Sequence, residues 1–203
     1  MSQTKPNPEA VRKATSDGLQ RIYLIIIGLA ITQALKQTLT DQKGIFLGAS
    51  LEYRDNGVHV LLLIAFLFTI IRFAHGSILH LTALTGGGRW QWDMFGSLFQ
   101  AILFFVLGLT INKTSYFLFS FFLVLLIDSL WLFMLKPLGH LKKMEKNWLI
   151  SNAIVFIIFL ALYISYCGGI LNNITIGTVA ALCSMFAAFR FMITMQIVMN
   201  IFQ

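Results

Sequence analysis

Six stretches of almost uninterrupted apolar residues divide this 203-residue chain, and they constrain its fold more than any other feature. They cover residues 19–36, 58–80, 94–112, 115–135, 148–167 and 174–202. A helix that crosses a bilayer needs roughly 20 mainly apolar residues. The first stretch is the weakest, because Thr32 and Gln33 interrupt its end. The pattern predicts six transmembrane helices, with four or five as alternatives.

The composition supports a membrane protein and excludes several other classes. Apolar residues make up 58% of the chain and charged residues only 11%, whereas soluble domains carry about 25% charged residues. A chain of this length could not bury so much apolar surface in its own core. We therefore expect an all-α, polytopic membrane helix bundle over residues 19–203, and not a soluble domain, a disordered tail or a disulfide scaffold.

Residues 1–18 form a polar segment ahead of the first stretch, and we expect it to lie in the cytoplasm. The motif Asn7-Pro8-Glu9 is typical of a helix start, with Asn as the cap and Pro at the first helical position. It predicts a short helix that ends near Gly18, where the chain bends into the membrane. The apolar run that follows could also belong to a cleaved signal peptide. No small-x-small cleavage site follows it, which favours an uncleaved helix.

Lysine and arginine are distributed unequally between alternate loops. With the N-terminus inside, nine basic residues fall on the inner side: Lys5, Arg12, Lys13, Arg21, Arg89, Lys136, Lys142, Lys143 and Lys146. Four fall on the outer side: Lys36, Lys43, Arg54 and Lys113. Cytoplasmic loops of membrane proteins carry such an excess. The sequence therefore predicts a cell inner (plasma) membrane protein with both termini in the cytoplasm.

Two of the charged residues inside the apolar stretches are predicted to pair. A charge at the bilayer centre costs roughly 2.5–3.5 kcal/mol on insertion scales. Arg72 and Asp128 each lie about 12 Å from the inner boundary of their stretch, at 1.5 Å per residue. His75 and Trp131 follow them on the same helix faces, and Asn152, near the inner end of the fifth stretch, is expected to join them. The cluster would gate or line a pathway; the alternative is a structural salt bridge, with Arg72 extending towards the headgroups.

The last stretch carries two further features. Arg190 has no acid left to pair with, so it either faces water in a vestibule or pore or extends towards lipid phosphates. Small residues form a stripe that suits close helix packing, within the chain or between subunits: Gly177, Ala180, Ala181, Ser184 and Ala188. We expect this stripe to serve as a helix-packing or oligomer face.

Basic residues cluster in the predicted inner loops, and we call this cluster the basic face. The sequence predicts no soluble domain beside it. Its members are Arg89, Lys136, Lys142, Lys143 and Lys146. Each base near an anionic surface contributes about 1 kcal/mol, so lipid alone would explain the face. A cytoplasmic protein partner is the second interpretation. Nucleic acid is an unlikely partner, because cytoplasmic loops of membrane proteins are ordinarily basic.

No motif for catalysis or cofactor binding stands out. The run Gly86-Gly87-Gly88-Arg89 lacks the spacing of a phosphate-binding loop. His75 and His80 lie on different helix faces, which disfavours a metal site. The sequence has no nucleophile elbow and no zinc-protease motif. We therefore expect no enzyme activity, no cofactor and no metal.

Three spans resemble those of small multi-pass bacterial membrane proteins. The residues are Arg72-Phe73-x-His75-Gly76, Leu126-x-Asp128-x-x-Trp131 and Trp148-x-x-x-Asn152. Proteins of this type include membrane subunits of antiphage defence systems, such as those of the Kiwa type or accessory to CRISPR loci. The resemblance implies an inner-membrane location and a role in antiviral defence.

A second resemblance concerns the N-terminal segment. Ser16-Asp17-Gly18 ahead of six spans is similar to six-helix potassium channels of the endolysosomal type, whose first helix carries Arg-x3-Phe-Ser-Asp. Here Thr15 stands at the Phe position and Val11 at the Arg position. No residue of the selectivity filter is transferred.

These observations favour a homo-oligomeric protein that is channel-like or senses the membrane. A single chain of this size has little room for a pathway, and assembly of subunits would supply one. The alternative is a carrier for a small ion or anion, with Arg72, Asp128 and Arg190 as its site. The oligomeric state in detergent would distinguish the two.

Overall fold

The computed structural model describes residues 7–40, 56–83, 90–135 and 143–201. Within them the chain forms six helices: α1 (Pro8–Leu39), α2 (Asn56–Ala83), α3 (Trp90–Leu109), α4 (Thr114–Leu135), α5 (Lys143–Cys167) and α6 (Asn173–Ile201). Each apolar stretch coincides with one helix. The all-α helix bundle predicted from the sequence is confirmed.

Five of these helices are long and apolar enough to cross a membrane, which identifies a multi-pass membrane protein. The first stretch, which the sequence marked as the weakest, belongs to a helix long enough to span, whereas the described apolar part of α3 is shorter, Phe95–Leu109. The helix of the first stretch begins earlier, in the polar segment, and continues through the apolar run. The part Lys13–Leu39 is therefore long and apolar enough to cross a membrane. The third helix, Trp90–Leu109, ends at a turn over residues 110–113.

The N-terminal helix begins where the sequence predicted. Pro8 is its first residue, and the Val11 amide donates to the Asn7 carbonyl oxygen at 3.1 Å. The expected break near Gly18 is wrong, because α1 continues without interruption to Leu39. Glycine within a helix costs only about 1 kcal/mol relative to alanine, and no proline follows it to stop the helix. The segment 1–18 and the first span therefore share one helix where the structure describes them.

The helices form a closed ring in the order α1, α3, α4, α5, α6 and α2. The rings of Phe121 and Phe159 stack with centroids 3.7 Å apart, and Asn152 meets Asp128, so α4 and α5 run antiparallel. By contrast, α1 and α3 run in the same direction, as do α2 and α6. The end at which α1, α3 and α5 begin is called the near end below, and the opposite end is the far end.

The far half of the ring is filled by apolar side chains. They come from α2, α3, α4 and α5, and each is almost fully buried: Leu62, Phe66, Phe104, Leu107, Phe117, Phe121 and Phe159. Close packing of this kind leaves little room for water. The far half is therefore a dry barrier between the near half and the far side of the bundle.

The small-residue stripe of α6 packs inside the chain. All five of its members are buried: Gly177, Ala180, Ala181, Ser184 and Ala188. A side chain at Gly177 would place its Cβ 3.1 Å from side-chain carbons of Val58 and Leu61 on α2. Small residues let these two helices approach closely. The stripe is a packing face against α2, so it does not provide the exposed contact for a second subunit.

Candidate functional site

A network of polar side chains lies inside the near half of the bundle. Its members are buried and come from five helices: Tyr23, Arg72, Ser77, Gln100, Asp128, Trp148 and Asn152. Tyr23 and Gln100 lie midway along α1 and α3, whereas α2 and α4 contribute residues from their second halves and α5 from its first half. Because helices that follow one another along the chain run in opposite directions, these positions meet at one level.

The carboxylate of Asp128 is the centre of the network. Its Oδ1 accepts a hydrogen bond from Gln100 Nε2 at 2.7 Å. Its Oδ2 accepts hydrogen bonds from Trp148 Nε1 at 3.0 Å and from Asn152 Nδ2. Both oxygens act only as acceptors, which suits an ionised carboxylate. Such charge-assisted bonds are about twice as strong as neutral ones.

Arg72 is joined to this carboxylate through an amide. Its Nη2 donates to Asn152 Oδ1 at 2.5 Å, and the same Asn152 donates to Asp128. The Arg72 side chain is 2% exposed, and its Nε has no hydrogen-bond partner within the described part of the chain. Its guanidinium carbon lies 5.4 Å from the centre of the Phe73 ring. The structure thus brings the predicted residues Arg72, Asp128 and Asn152 together, with Asn152 between the two charges.

A second layer of hydrogen bonds ties α1 and α2 to α3. Gln100 Oε1 accepts from Ser77 Oγ at 2.9 Å and from Tyr23 Oη at 3.4 Å. The sequence did not lead us to assign Tyr23, Ser77 or Gln100 to the cluster. The signal was present, because each is a polar residue within an apolar stretch.

Trp148 closes the network towards α6. Its ring lies edge-on to Phe73, at 5.7 Å between centroids, and to Phe191, at 4.9 Å. Beneath it lies Gly76, where a Cβ would fall 1.7 Å from Trp148 Cη2. The sequence analysis named Trp148 only in the motif Trp148-x-x-x-Asn152, and gave its side chain no role in the cluster. In the structure it is a hydrogen-bond donor held in one position by its neighbours.

Three other predicted members lie elsewhere. His75 is exposed and contacts the edge of Phe191, because a step of three residues along a helix turns its side chain about 60° from Arg72. Trp131 is half-buried and covers Gly96 of α3, where a Cβ would lie 2.4 Å from its ring. Arg190 is exposed and lines a cavity beside Trp148. The prediction that His75 belongs to the buried cluster is wrong.

Most of the predicted basic face lies outside the described residues, namely Arg89, Lys136 and Lys142. Lys143 begins α5, and Lys146 is exposed one turn later. Of the predicted basic face, the structure therefore shows one exposed side chain, Lys146, near the start of α5. The docking of a protein or of lipid on this face stays a prediction.

The network holds one positive and one negative side chain linked by hydrogen bonds. The two Asp128 oxygens already accept three donors, so a metal ion would have to displace them. In the residues that the structure describes, no three His, Cys, Asp or Glu side chains gather as metal ligands. Such a network can hold the helices together. It can also let them separate, if a bound ion replaces the hydrogen bonds between its side chains.

No protein-family model, curated protein or solved structure matches this chain.

Proposed function

We propose that this chain moves a small inorganic ion across the bacterial inner membrane, and that the buried network is its binding site and gate. One observation carries the proposal: Arg72, Asn152 and Asp128 form a bonded, charged group inside a membrane bundle. Ionisable residues within spans are expensive, and they commonly mark ion pathways, proton relays and substrate sites. We also propose that both termini of the chain lie in the cytoplasm.

The arrangement favours a site within one chain over a pore between subunits. The six helices close a ring around the network, and the small-residue stripe is buried against α2. The far half of the ring is packed with apolar side chains, so this conformation is closed on that side. An ion held at Arg72 and Asp128 would pass only after helices separate, as in gated or alternating-access proteins. This supports the carrier over the homo-oligomeric channel.

A membrane-sensing role is the second candidate, and a specific contact favours it. Trp148 both lines a cavity at the bundle surface and donates to Asp128, so a lipid at the surface would affect the buried charges. The resemblance of three spans to antiphage membrane subunits supports a further proposal, that sensing serves antiviral defence. A cytoplasmic partner would then receive the signal at the basic face.

The transport proposal is tested by flux from liposomes. The purified protein is reconstituted into liposomes loaded with KCl, and release is followed with ion-selective electrodes. Potassium release is measured with a protonophore present and chloride release with valinomycin present, so that the compensating charge can cross the membrane. We expect release of one of the two ions above that of protein-free liposomes. Release should rise in direct proportion to protein at low protein-to-lipid ratios, since one chain holds the whole site. Background release of both ions would contradict transport of either, and a steeper dependence on protein would contradict a single-chain site.

A further inference from the structure

A cavity of about 110 Å³ lies between α5 and α6 at the near end of the bundle. Its polar lining consists of Asn147 and Ser151 on α5 and Arg190 and Thr194 on α6, and Trp148 and Phe191 form its inner wall. Apart from Trp148, none of these side chains takes part in the buried network. The cavity is therefore a separate feature of the surface.

The charge of the cavity selects for an anion. Arg190 is exposed and supplies a guanidinium with several donors in one plane. Ser151 and Asn147 add a hydroxyl and an amide, whereas the Thr194 hydroxyl already donates to the Arg190 carbonyl oxygen at 2.8 Å. No acidic residue lines the cavity among the residues described. A group with several anionic oxygens, such as a phosphate, matches these donors.

The position of the cavity points to a lipid. The α5 part of the polar lining lies in the first turns of that helix, directly after the basic residues Lys143 and Lys146, whereas α6 continues beyond the cavity to Ile201. The first turns of α5 lie at the level at which phospholipid headgroups meet the hydrocarbon. Deeper in the bilayer the same two helices expose large apolar side chains, among them Ile154, Ile157 and Phe186. Acyl chains would lie along these side chains, below a phosphate at Arg190.

We propose that this cavity binds the phosphate headgroup of an anionic phospholipid, with Arg190 as its charged ligand and Ser151 and Asn147 as hydrogen-bonding neighbours. The indole of Trp148 separates the bound headgroup from Asp128. The lipid would therefore contact the same side chain that closes the buried network. This site does not depend on transport, and it would exist in a protein that moves no ion.

The test measures binding of short-chain phosphatidylglycerol to the purified protein in detergent by native mass spectrometry. Arg190→Gln is the test variant, and Lys113→Gln, which removes an exposed base between α3 and α4 at the far end, is the control. We expect Arg190→Gln to weaken binding about 10-fold, because a charge-assisted contact is lost. Lys113→Gln should bind as wild type does. Arg190→Lys should bind with intermediate affinity, because it keeps the charge and loses the planar fork.

Two comparisons determine the source of the phosphate. Phosphatidylcholine should bind more weakly than phosphatidylglycerol, and millimolar inorganic phosphate should not displace the lipid. Equal lipid binding by wild type and Arg190→Gln, with unchanged melting temperature, would overturn the site. Displacement by inorganic phosphate would show a site for free anions and overturn the lipid assignment. Equal binding of the two lipids would overturn the preference for an anionic headgroup.

Discussion

Replacing Asp128 with alanine is expected to lower the free energy of unfolding by ~3–5 kcal/mol, the range found when one partner of a buried charge pair is removed. Arg72 would remain charged and 2% exposed without its counter-charge. Three donors would also lose their acceptor: Gln100 Nε2, Trp148 Nε1 and Asn152 Nδ2. The loss is measured as a shift in thermal or detergent-induced unfolding of the purified protein.

The isosteric variant Asp128→Asn separates charge from shape. Each Asp128 oxygen accepts a hydrogen bond, so either orientation of the new amide places its NH₂ group against another donor. We therefore expect Asp128→Asn to be strongly destabilised as well. Asp17→Asn makes the same change on the exposed surface of α1 and should stay within about 0.5 kcal/mol of wild type. An Asp128→Asn protein as stable as Asp17→Asn would show that the carboxylate is not the centre of the network.

The second large effect is expected at Gly76. An alanine Cβ there would lie 1.7 Å from Trp148 Cη2, closer than any van der Waals contact allows. Trp148 is held by Phe73, by Phe191 and by its bond to Asp128, so it cannot move without losing them. Overpacking costs about 1–3 kcal/mol, and the lost hydrogen bond to a charged group adds about 1.5–3 kcal/mol. We expect a Gly76→Ala protein with markedly lower melting temperature and yield.

Gly28 provides the matched control for this substitution. It lies within α1, and a Cβ built there meets nothing within 4 Å. Gly28→Ala should therefore stabilise the helix by roughly 0.5–1 kcal/mol, because alanine loses less backbone entropy than glycine. The two variants are expected to shift the melting temperature in opposite directions. Equal melting temperatures for both would mean that Trp148 does not occupy the position described.

The helices and the depth of the charged residues follow from the sequence. Apolar stretches of about 20 residues leave helices as the only spanning structure, because every backbone polar group must be paired internally. Counting residues from the inner boundary placed Arg72 and Asp128 at one level, and alternating helix direction brings them there. Asn152, expected to join them from the inner end of the fifth stretch, lies between them.

The inward face of each helix does not follow from the sequence. In a membrane both the lipid-facing and the buried side chains are apolar. Phe66 and Phe104 are fully buried, whereas Phe95 and Phe186 are more than 60% exposed. Hydrophobicity therefore gives no sign of the rotation of a helix about its axis. This rotation turned His75 outwards and brought Tyr23 and Ser77 into contact with Gln100.

The central claim is that the network moves ions and does not merely hold the helices together. Buried ion pairs can be replaced by apolar residues of similar size with little loss of stability. The triple variant Arg72→Met, Asn152→Leu, Asp128→Leu removes both charges and their bridge at once. Its potassium and chloride release is measured from KCl-loaded liposomes after a thermal melt confirms that it folds. We expect release at the level of protein-free liposomes, and release at the wild-type rate would contradict the claim.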